Sequence, residues 1–445
     1  MLAGRRLFHF SQLISGNGNH ATDITQLSAT DGATHVTSIR IHFPRIYFPF
    51  AAGYLLSYLF RTVNAVISPE LSRDLALTPA SLGLLTSTYF LAFGAAQLPV
   101  GMLLDRYGPR RVEPILLCIA ALGALLFAYA ESLPGLAFAR AIIGLGVCAC
   151  LMAPLKAIAT WYPRERQASL SGWMMVAGGL GALAATTPLE LALRVTGWRT
   201  IFVALAAATF VVAMVIAWRI PDTERPAVAT GLREQWLGVG MVLRHRRFWW
   251  IAPLGACCIG TFMAIQGLWA VPWLMEVDGE TRSGAARHLL FMGVVVLAGY
   301  LLIGFFGTWL ARRGIQARHL FAAGYAVAIG ALAGILLGMP GSYFWWSLYG
   351  FGATVNVLGF TVLNEGFARE LAGRTNTTLN LMMFGGSLLA QWGIGVLAET
   401  ARAQFGLDLA DGLRCAFGVA LAANVLTFLW FWRGWAHHSR FIAAA

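Results

Sequence analysis

Twelve long apolar segments dominate this chain, and they constrain its fold more than any other feature. A helix that crosses the hydrocarbon core of a membrane needs about 20 consecutive apolar residues, because each residue adds only about 1.5 Å. The candidate segments lie near 46–66, 82–104, 112–130, 133–158, 169–191, 200–219, 248–275, 288–310, 318–338, 343–365, 376–399 and 412–434. The sequence therefore predicts an all-α membrane protein with twelve transmembrane helices.

Composition supports a membrane protein and excludes a nucleic-acid-binding one. Hydrophobic residues make up 58% of the 445 residues and charged residues 12%, against about 25% charged in soluble domains. The net charge of +12 comes from basic residues that punctuate the apolar runs and form no basic-aromatic surface. We therefore expect lipid as the surrounding partner and no nucleic acid.

The arginines predict the orientation. With the N-terminus inside, most of the 32 Lys and Arg fall in cytoplasmic segments, as the positive-inside rule requires. The loops on the other side carry only Arg73, Arg194, Arg199, Arg282, Arg287, Arg402 and Arg414. An even number of spans returns the C-terminus to the cytoplasm, so we expect a multi-pass protein of a bacterial-type inner (plasma) membrane.

A short charged turn follows the second apolar segment. It reads Gly101-Met-Leu-Leu-Asp105-Arg106-Tyr-Gly108-Pro-Arg110-Arg. It resembles the GxLxDRxGxRR loop of the major facilitator superfamily, which joins that family's second and third transmembrane helices. The resemblance implies that these five numbered residues latch one conformation of a rocking transporter. We expect Asp105 to accept a hydrogen bond from a helix start or from an Arg of the 4–5 or 10–11 loop.

The chain also repeats itself. Residues 307–314 mirror 101–108, and 367–370 echo 162–165, with Ala311 in place of the acid of the first turn. Parallel repeats of this kind are typical of two bundles related by a pseudo-two-fold axis along the membrane normal. The predicted domains are a disordered extension (1–45), a six-helix bundle (46–219), a cytoplasmic linker (220–247), a second six-helix bundle (248–435) and a tail (436–445).

No motif indicates an enzyme or a metal site. The six cysteines lie in apolar stretches without zinc-site spacing, and no phosphate-binding loop, metalloprotease motif or Ser-His-Asp signature is present. We therefore expect no cofactor and no metal. Transport without an ATPase module points to secondary transport.

Arg61 is the most informative charge within a predicted span. A buried arginine costs about 2.5–3.5 kcal/mol on insertion scales, so it needs a reason to be there. Tyr54, Tyr58 and Arg61 recur at i, i+4 and i+7 on one helix face, with Asn64 adjacent.

Residues 61–111 resemble the anion:cation symporter branch of the superfamily, which implies that Arg61 contacts an anionic substrate. Phe60 stands where that branch often has Asp, which weakens any transfer of its coupling mechanism. Snorkelling or a structural hydrogen bond stays open as the alternative for Arg61.

Further candidates come from the same resemblance. Arg140 begins Arg-Ala-Ile-Ile-Gly144-Leu-Gly146, similar to a fourth-helix motif associated with proton coupling or with packing against the first helix. The family's cavity is formed by helices one, four, seven and ten, which adds Gln266, Trp269 and Asn356. The expected substrate-binding set is Tyr54, Tyr58, Arg61, Asn64, Arg140, Gln266, Trp269 and Asn356. Glu190 and Glu365 lie at helix ends and identify no proton carrier.

The sequence thus predicts a monomeric secondary transporter that moves a small organic anion by alternating access, with or without a coupling proton. A nitrate-like or drug/siderophore carrier of the same superfamily is the first alternative. A transporter-like membrane sensor, which binds a ligand without moving it, is the second.

Overall fold

The computed structural model describes residues 21–221, 232–367 and 371–443, and helices are the only regular secondary structure within them, apart from one π-helical turn. The chain divides into two compact units, Met1–Phe48 and Pro49–Ala445. Twelve helices among the described residues are long and apolar enough to cross a membrane, which confirms the predicted number. These spans, numbered 1 to 12 in chain order, are Arg45–Leu75, Pro79–Tyr107, Pro109–Tyr129, Leu133–Trp161, Ser169–Leu193, Trp198–Arg219, Arg246–Glu276, Arg282–Gly307, Ala317–Leu336, Ser342–Asn364, Gly373–Phe405 and Leu409–Trp435.

The helix that contains span 1 begins much earlier than the sequence suggests. It extends over Ala21–Leu75, whereas the sequence analysis expects disorder up to residue 45. The segment has no apolar run, but it also has a single Gly and no Pro before Pro44, so nothing in it terminates a helix. Residues 1–20 lie outside the described part of the chain.

Four spans are interrupted near their middle or towards one end. Span 4 consists of Leu133–Val147 and Met152–Trp161, and span 5 consists of a helix ending at Ala184 and the short helix Thr187–Leu193. Span 10 consists of Ser342–Ala353 and Asn356–Asn364, while span 7 contains a π-helical turn, Ile265–Trp269. Irregular backbone within a membrane is tolerated where it is covered by protein or lines a cavity. The interruptions in spans 4, 7 and 10 fall on helices expected to line the cavity.

Glycines let span 4 pack closely on its neighbours. A Cβ atom built on Gly144 would lie 2.3 Å from the carbonyl oxygen of Tyr89, and one on Gly146 would lie 2.3 Å from the backbone nitrogen of Ala120. Any side chain at either position would therefore collide with the backbone of span 2 or span 3. These glycines therefore bring span 4 against spans 2 and 3.

The two halves meet through two helix pairs, span 2 with span 11 and span 5 with span 8. The two pairs are equivalent under the internal repeat, because each span of the first half corresponds to the span six positions later. Spans 2 and 11 thus correspond to spans 8 and 5. The predicted linker contains a short helix, Leu232–Arg244, and residues 222–231 lie outside the described ranges.

Polar contacts tie the halves together at the end of the spans that carries the turn 76–78, here called the Leu77 end. Glu70 pairs with Arg282, and Ser283 binds both Glu190 and Arg194. The backbone N–H of Ala80 donates to Glu399 at 3.0 Å. The opposite end, with the turn 105–111, is called the Gly108 end.

Candidate functional site

The guanidinium of Arg61 is buried in the middle of span 1 without a counter-ion. The residue is 8% exposed, its Nε has no hydrogen-bond partner, and among the described residues no carboxylate pairs with it. Its Cζ lies 4.5 Å from the ring centre of Tyr58, 5.2 Å from Phe93 and 5.8 Å from Phe384. Aromatic faces attract a cation, but they do not replace the hydrogen bonds that it loses with water. The site therefore offers a pre-positioned positive charge with an unused donor at Nε.

Tyr54 and Tyr58 form one wall beside this charge. Their rings are 5.1 Å apart in an edge-to-face arrangement, and the Tyr54 hydroxyl lies 3.9 Å from the sulfur of Met175. Gly178 of span 5 makes room for both rings, because a Cβ there would lie 2.6 Å from Tyr54 and 2.9 Å from Tyr58. The face predicted from the i, i+4, i+7 spacing thus exists, and a glycine of span 5 holds it open.

Tyr89 of span 2 lies between the two buried arginines. The Cζ of Arg140 is 5.0 Å from its ring centre, and its hydroxyl lies within electrostatic range of Arg61. Arg140 is fully buried and donates from Nη1 to the carbonyl oxygen of Phe60 at 2.9 Å, while Nε and Nη2 have no partner. Arg140 therefore binds the backbone of span 1 just before Arg61 and adds a second positive charge behind the site.

The second half contributes a tyrosine and an amide. Asn356 begins the second helix of span 10 and donates to the hydroxyl of Tyr300 at 3.1 Å. Tyr300, in span 8, lies within electrostatic range of Tyr58 and Arg61. The predicted residue Asn356 therefore joins the Arg61 site through Tyr300.

Side chains and backbone from both halves surround the guanidinium. Phe93 of span 2 and Phe384 of span 11 have ring centres 4.5 Å apart, and both face Arg61. Gly267 lies in the π-helical turn of span 7 and packs against the backbone of span 1. A Cβ built on Gly267 would be 3.5 Å from the carbonyl oxygen of Arg61. The arrangement is a small site between the halves, with a cation, aromatic rings and hydroxyl groups.

Three other predicted residues are placed differently. Asn64 is fully buried and donates to Thr86 of span 2 at 3.0 Å. Trp269 is 1% exposed, and its indole donates to the carbonyl oxygen of Gln391 at 2.9 Å. Gln266 lines a separate small pocket with Thr62, Ala182, Ala185, Thr186, Leu289 and Gly293. None of the three contacts the guanidinium, and their part in substrate binding stays a prediction.

The charged turn finds a partner that the sequence analysis does not foresee. Asp105 accepts from Nζ of Lys156 in span 4 at 2.5 Å, rather than from a helix start or a loop arginine. Gly108 has φ +76° and ends span 2, as a turn of this kind requires. Arg110 donates to the carbonyl oxygen of Ala217 at 3.4 Å. Arg106 lies over the ring of Tyr107. A Cβ built on Gly101 would have no atom within 4 Å. The turn thus links spans 2, 4 and 6 of the first half, and its latch role stays a prediction.

Tyr89 and Tyr300 are absent from the sequence-based set. A tyrosine within a span is the only signal for either: Tyr300 lies in an apolar run, and Tyr89 follows the hydroxyl residues 86–88. Within the described residues, no group of three or more His, Cys, Asp or Glu side chains is arranged to hold a metal ion.

Comparison with known proteins identifies the fold and several transporters similar to this chain. The profile of the Major Facilitator Superfamily matches residues 50–391. The hexuronate transporter of Escherichia coli K12 is 27% identical over 316 residues, 65% of this chain and 71% of the relative. The galacturonate transporter of Dickeya chrysanthemi is 25% identical over 273 residues, 56% of this chain and 78% of the relative. Among solved structures, a bacterial homologue of the human lysosomal transporter Spinster superposes with a TM-score of 0.74 at 19% identity, covering 87% of this chain and 95% of that one.

Proposed function

Because the chain belongs to the Major Facilitator Superfamily, we propose that it carries a small organic anion across the membrane by alternating access, with Arg61 as the counter-charge of the anion. The two halves, joined through spans 2, 5, 8 and 11, would rock about the site between them. Substrate then favours whichever state it binds more tightly, which is what moves the cycle forward.

The observation that carries this proposal is the buried guanidinium without a counter-ion. Among the described residues no carboxylate pairs with Arg61, and a buried cation without an anion is costly in a membrane interior. Its Nε has no acceptor, and its hydrogen bond goes to a neutral hydroxyl group, that of Tyr89. A carboxylate would supply the missing negative charge, and a guanidinium binds it with two parallel hydrogen bonds.

The neighbouring groups favour a hydroxylated carboxylate, such as a sugar acid. Tyr54, Tyr58, Tyr89 and Tyr300, with Asn356, place hydroxyl and amide groups around the cation. Such groups donate to and accept from substrate hydroxyls, and aromatic faces pack against the apolar side of a sugar ring. The names of the hexuronate and galacturonate relatives agree with this chemistry.

The described contacts correspond to one end-state of the cycle. The Leu77 end is held together by the Glu70–Arg282 pair and by Ser283, whereas the basic turns lie at the Gly108 end. With those turns in the cytoplasm, the Leu77 end faces outwards. We therefore assign this arrangement to the state that is closed to the outside.

Uptake into proteoliposomes tests the proposal. The purified protein is reconstituted and supplied with labelled D-galacturonate or with D-galactose, which has the same ring but no charge. We expect saturable uptake of D-galacturonate and no uptake of D-galactose above that of empty vesicles.

Other outcomes select among the alternatives. Equal uptake of both sugars would contradict the anion assignment. Binding of D-galacturonate in a thermal-shift assay without any uptake would identify a sensor. Nitrate that displaces D-galacturonate at equal concentration would favour the nitrate-like alternative.

A further inference from the structure

Glu113, on the second turn of span 3, is a fully buried carboxyl group with no N–H, O–H or charged partner. Its exposure is 0%, and among the described residues the thiol of Cys150 is the one weak donor beside Oε1 and Oε2. Glu190 is buried to a similar extent, at 3%, but it accepts hydrogen bonds from Arg194 and Ser283 at 2.9 Å each. Glu113 therefore does not belong to a structural ion pair, as Glu190 does.

A glycine of span 1 makes the space that the carboxyl group occupies. A Cβ built on Gly53 would lie 2.8 Å from Oε1 of Glu113, closer than real Cβ atoms come to another atom. The next atom, Cδ1 of Leu117, is 3.7 Å away. The absence of a side chain at this position thus accommodates an acid between spans 1 and 3.

A single titratable group lies against the carboxyl. Spans 1, 2, 4 and 6 surround this end of span 3, and their titratable side chains in this region, with those of span 3, are Tyr54, Asp105, Arg106, Tyr107, Arg110, Arg111, Cys118, Cys148, Cys150, Lys156 and Arg219. Only the thiol of Cys150 lies beside Glu113. Cys150 belongs to the turn that interrupts span 4, and it is within electrostatic range of both Glu113 and Arg61.

These contacts determine the charge that Glu113 can carry. An ionised carboxylate here would have no cation, and only the weak S–H donor of Cys150, to replace its hydration, so the carboxyl is protonated in this arrangement. We propose that Glu113 is the proton-binding site that couples proton movement to anion transport, a role that rests on the proposed function for the anion itself.

Electrostatics gives the direction of the coupling. Glu113 packs against Gly53, which precedes Arg61 by eight residues of span 1, about 12 Å along the helix. In a low-dielectric interior the positive charge of Arg61 still acts over this distance and favours loss of the Glu113 proton, and an anion bound at Arg61 cancels that charge and favours the protonated acid. Linkage is reciprocal, so protonation also strengthens anion binding. The O–H bond of the acid is the only bond made or broken, since the proton comes from water on one side and returns to water on the other. One proton and one monoanion then cross as an electrically neutral pair.

An infrared pH titration without substrate tests the proton site directly. We expect the reconstituted wild-type protein to show a protonated-carboxyl C=O band that is lost as pH rises. Glu113→Gln should remove this band, whereas the control Glu365→Gln, at a half-exposed acid paired with Arg247, should keep it. The same titrating band in Glu113→Gln as in the wild type would overturn the assignment.

Uptake of D-galacturonate under an imposed pH gradient tests the coupling. With one proton per anion, wild-type accumulation should rise about tenfold per pH unit of gradient and should not respond to membrane potential. Glu113→Gln should exchange labelled for unlabelled D-galacturonate but should not accumulate it. Gradient-driven accumulation at the wild-type level in this variant would contradict the proposal.

A second variant keeps the test decisive if Glu113→Gln does not fold. Gly53→Ala retains the acid but presses a methyl group against it, so it should shift the midpoint of the titrating band. Gly172→Ala, with nothing within 4 Å of its Cβ, is the control. An unchanged midpoint in Gly53→Ala would overturn the assignment. If the wild-type protein does not carry D-galacturonate, the proposed substrate fails, while the infrared titration still decides whether Glu113 binds a proton.

Discussion

Gly178 offers a sharp test of the site, because an added methyl group there meets the two tyrosines beside Arg61. The Cβ of Gly178→Ala would lie 2.6 Å from Tyr54 Cε1 and 2.9 and 3.0 Å from Tyr58 Cδ2 and Cε2. Carbon atoms pack at about 3.5–4.0 Å, so each ring must retreat by roughly 0.5–1 Å. Overpacking of this kind destabilises the packed arrangement of the rings by about 1–3 kcal/mol. The Tyr58 ring centre is only 4.5 Å from the guanidinium carbon, so its displacement disturbs the site itself.

We expect Gly178→Ala to weaken D-galacturonate binding about 5- to 150-fold, the range that corresponds to this cost. Gly172→Ala in the same span is the matched control, because both changes raise helix propensity by about 1 kcal/mol but only one meets a neighbour. Binding is measured by isothermal titration in detergent, with thermal unfolding as the folding control. Wild-type affinity in a folded Gly178→Ala protein would show that the tyrosine pair takes no part in the site.

Three further predictions concern the latch, the second half and the Leu77 end. Asp105→Asn and Lys156→Gln each break the same ion pair, so both should slow D-galacturonate uptake more than they weaken its equilibrium binding, because they alter the conformational equilibrium rather than the site; a loss of binding as large as the loss of uptake would place the pair in the site instead. Tyr300→Phe removes one hydroxyl and should weaken binding about 3- to 10-fold in a titration, and an unaltered affinity would exclude Tyr300 from the site. Glu70→Arg should open the Leu77 end, as measured by thiol labelling of single cysteines placed there, and the swap with Arg282→Glu should close it again; equal labelling in both would mean that the pair does not hold the halves together.

The membrane fold follows from local sequence features. Each span is recognised from its length and hydropathy, and the turn with Gly108 marks the boundary between spans 2 and 3. The face that carries Tyr54, Tyr58 and Arg61 also follows from helical spacing, because residues on one helix need no knowledge of other helices. These predictions depend on neighbours in sequence, and the structure confirms the spans.

The rest depends on which helices pack together, and a single sequence does not specify that. Lys156 meets Asp105, and Tyr300 approaches Arg61, only because helices far apart in sequence are adjacent in space. Trp269 has the chemistry of a cavity residue, but span 11 supplies its partner, Gln391. Glu113 reads as one more polar residue near a basic turn until the structure shows it buried and unpaired.

Binding of D-galacturonate to Arg61 variants is the most direct test of the central claim. Arg61→Ala removes the counter-charge, and Arg61→Lys keeps the charge but loses the planar pair of donors. We expect Arg61→Ala to lose about 2–5 kcal/mol of binding free energy, the cost of breaking a buried hydrogen-bonded charge pair, and Arg61→Lys to lose much of the affinity as well. Thermal unfolding is the folding control, because Arg61→Ala also loses the ring contacts of the guanidinium. Wild-type affinity for D-galacturonate in a folded Arg61→Ala protein would contradict the account.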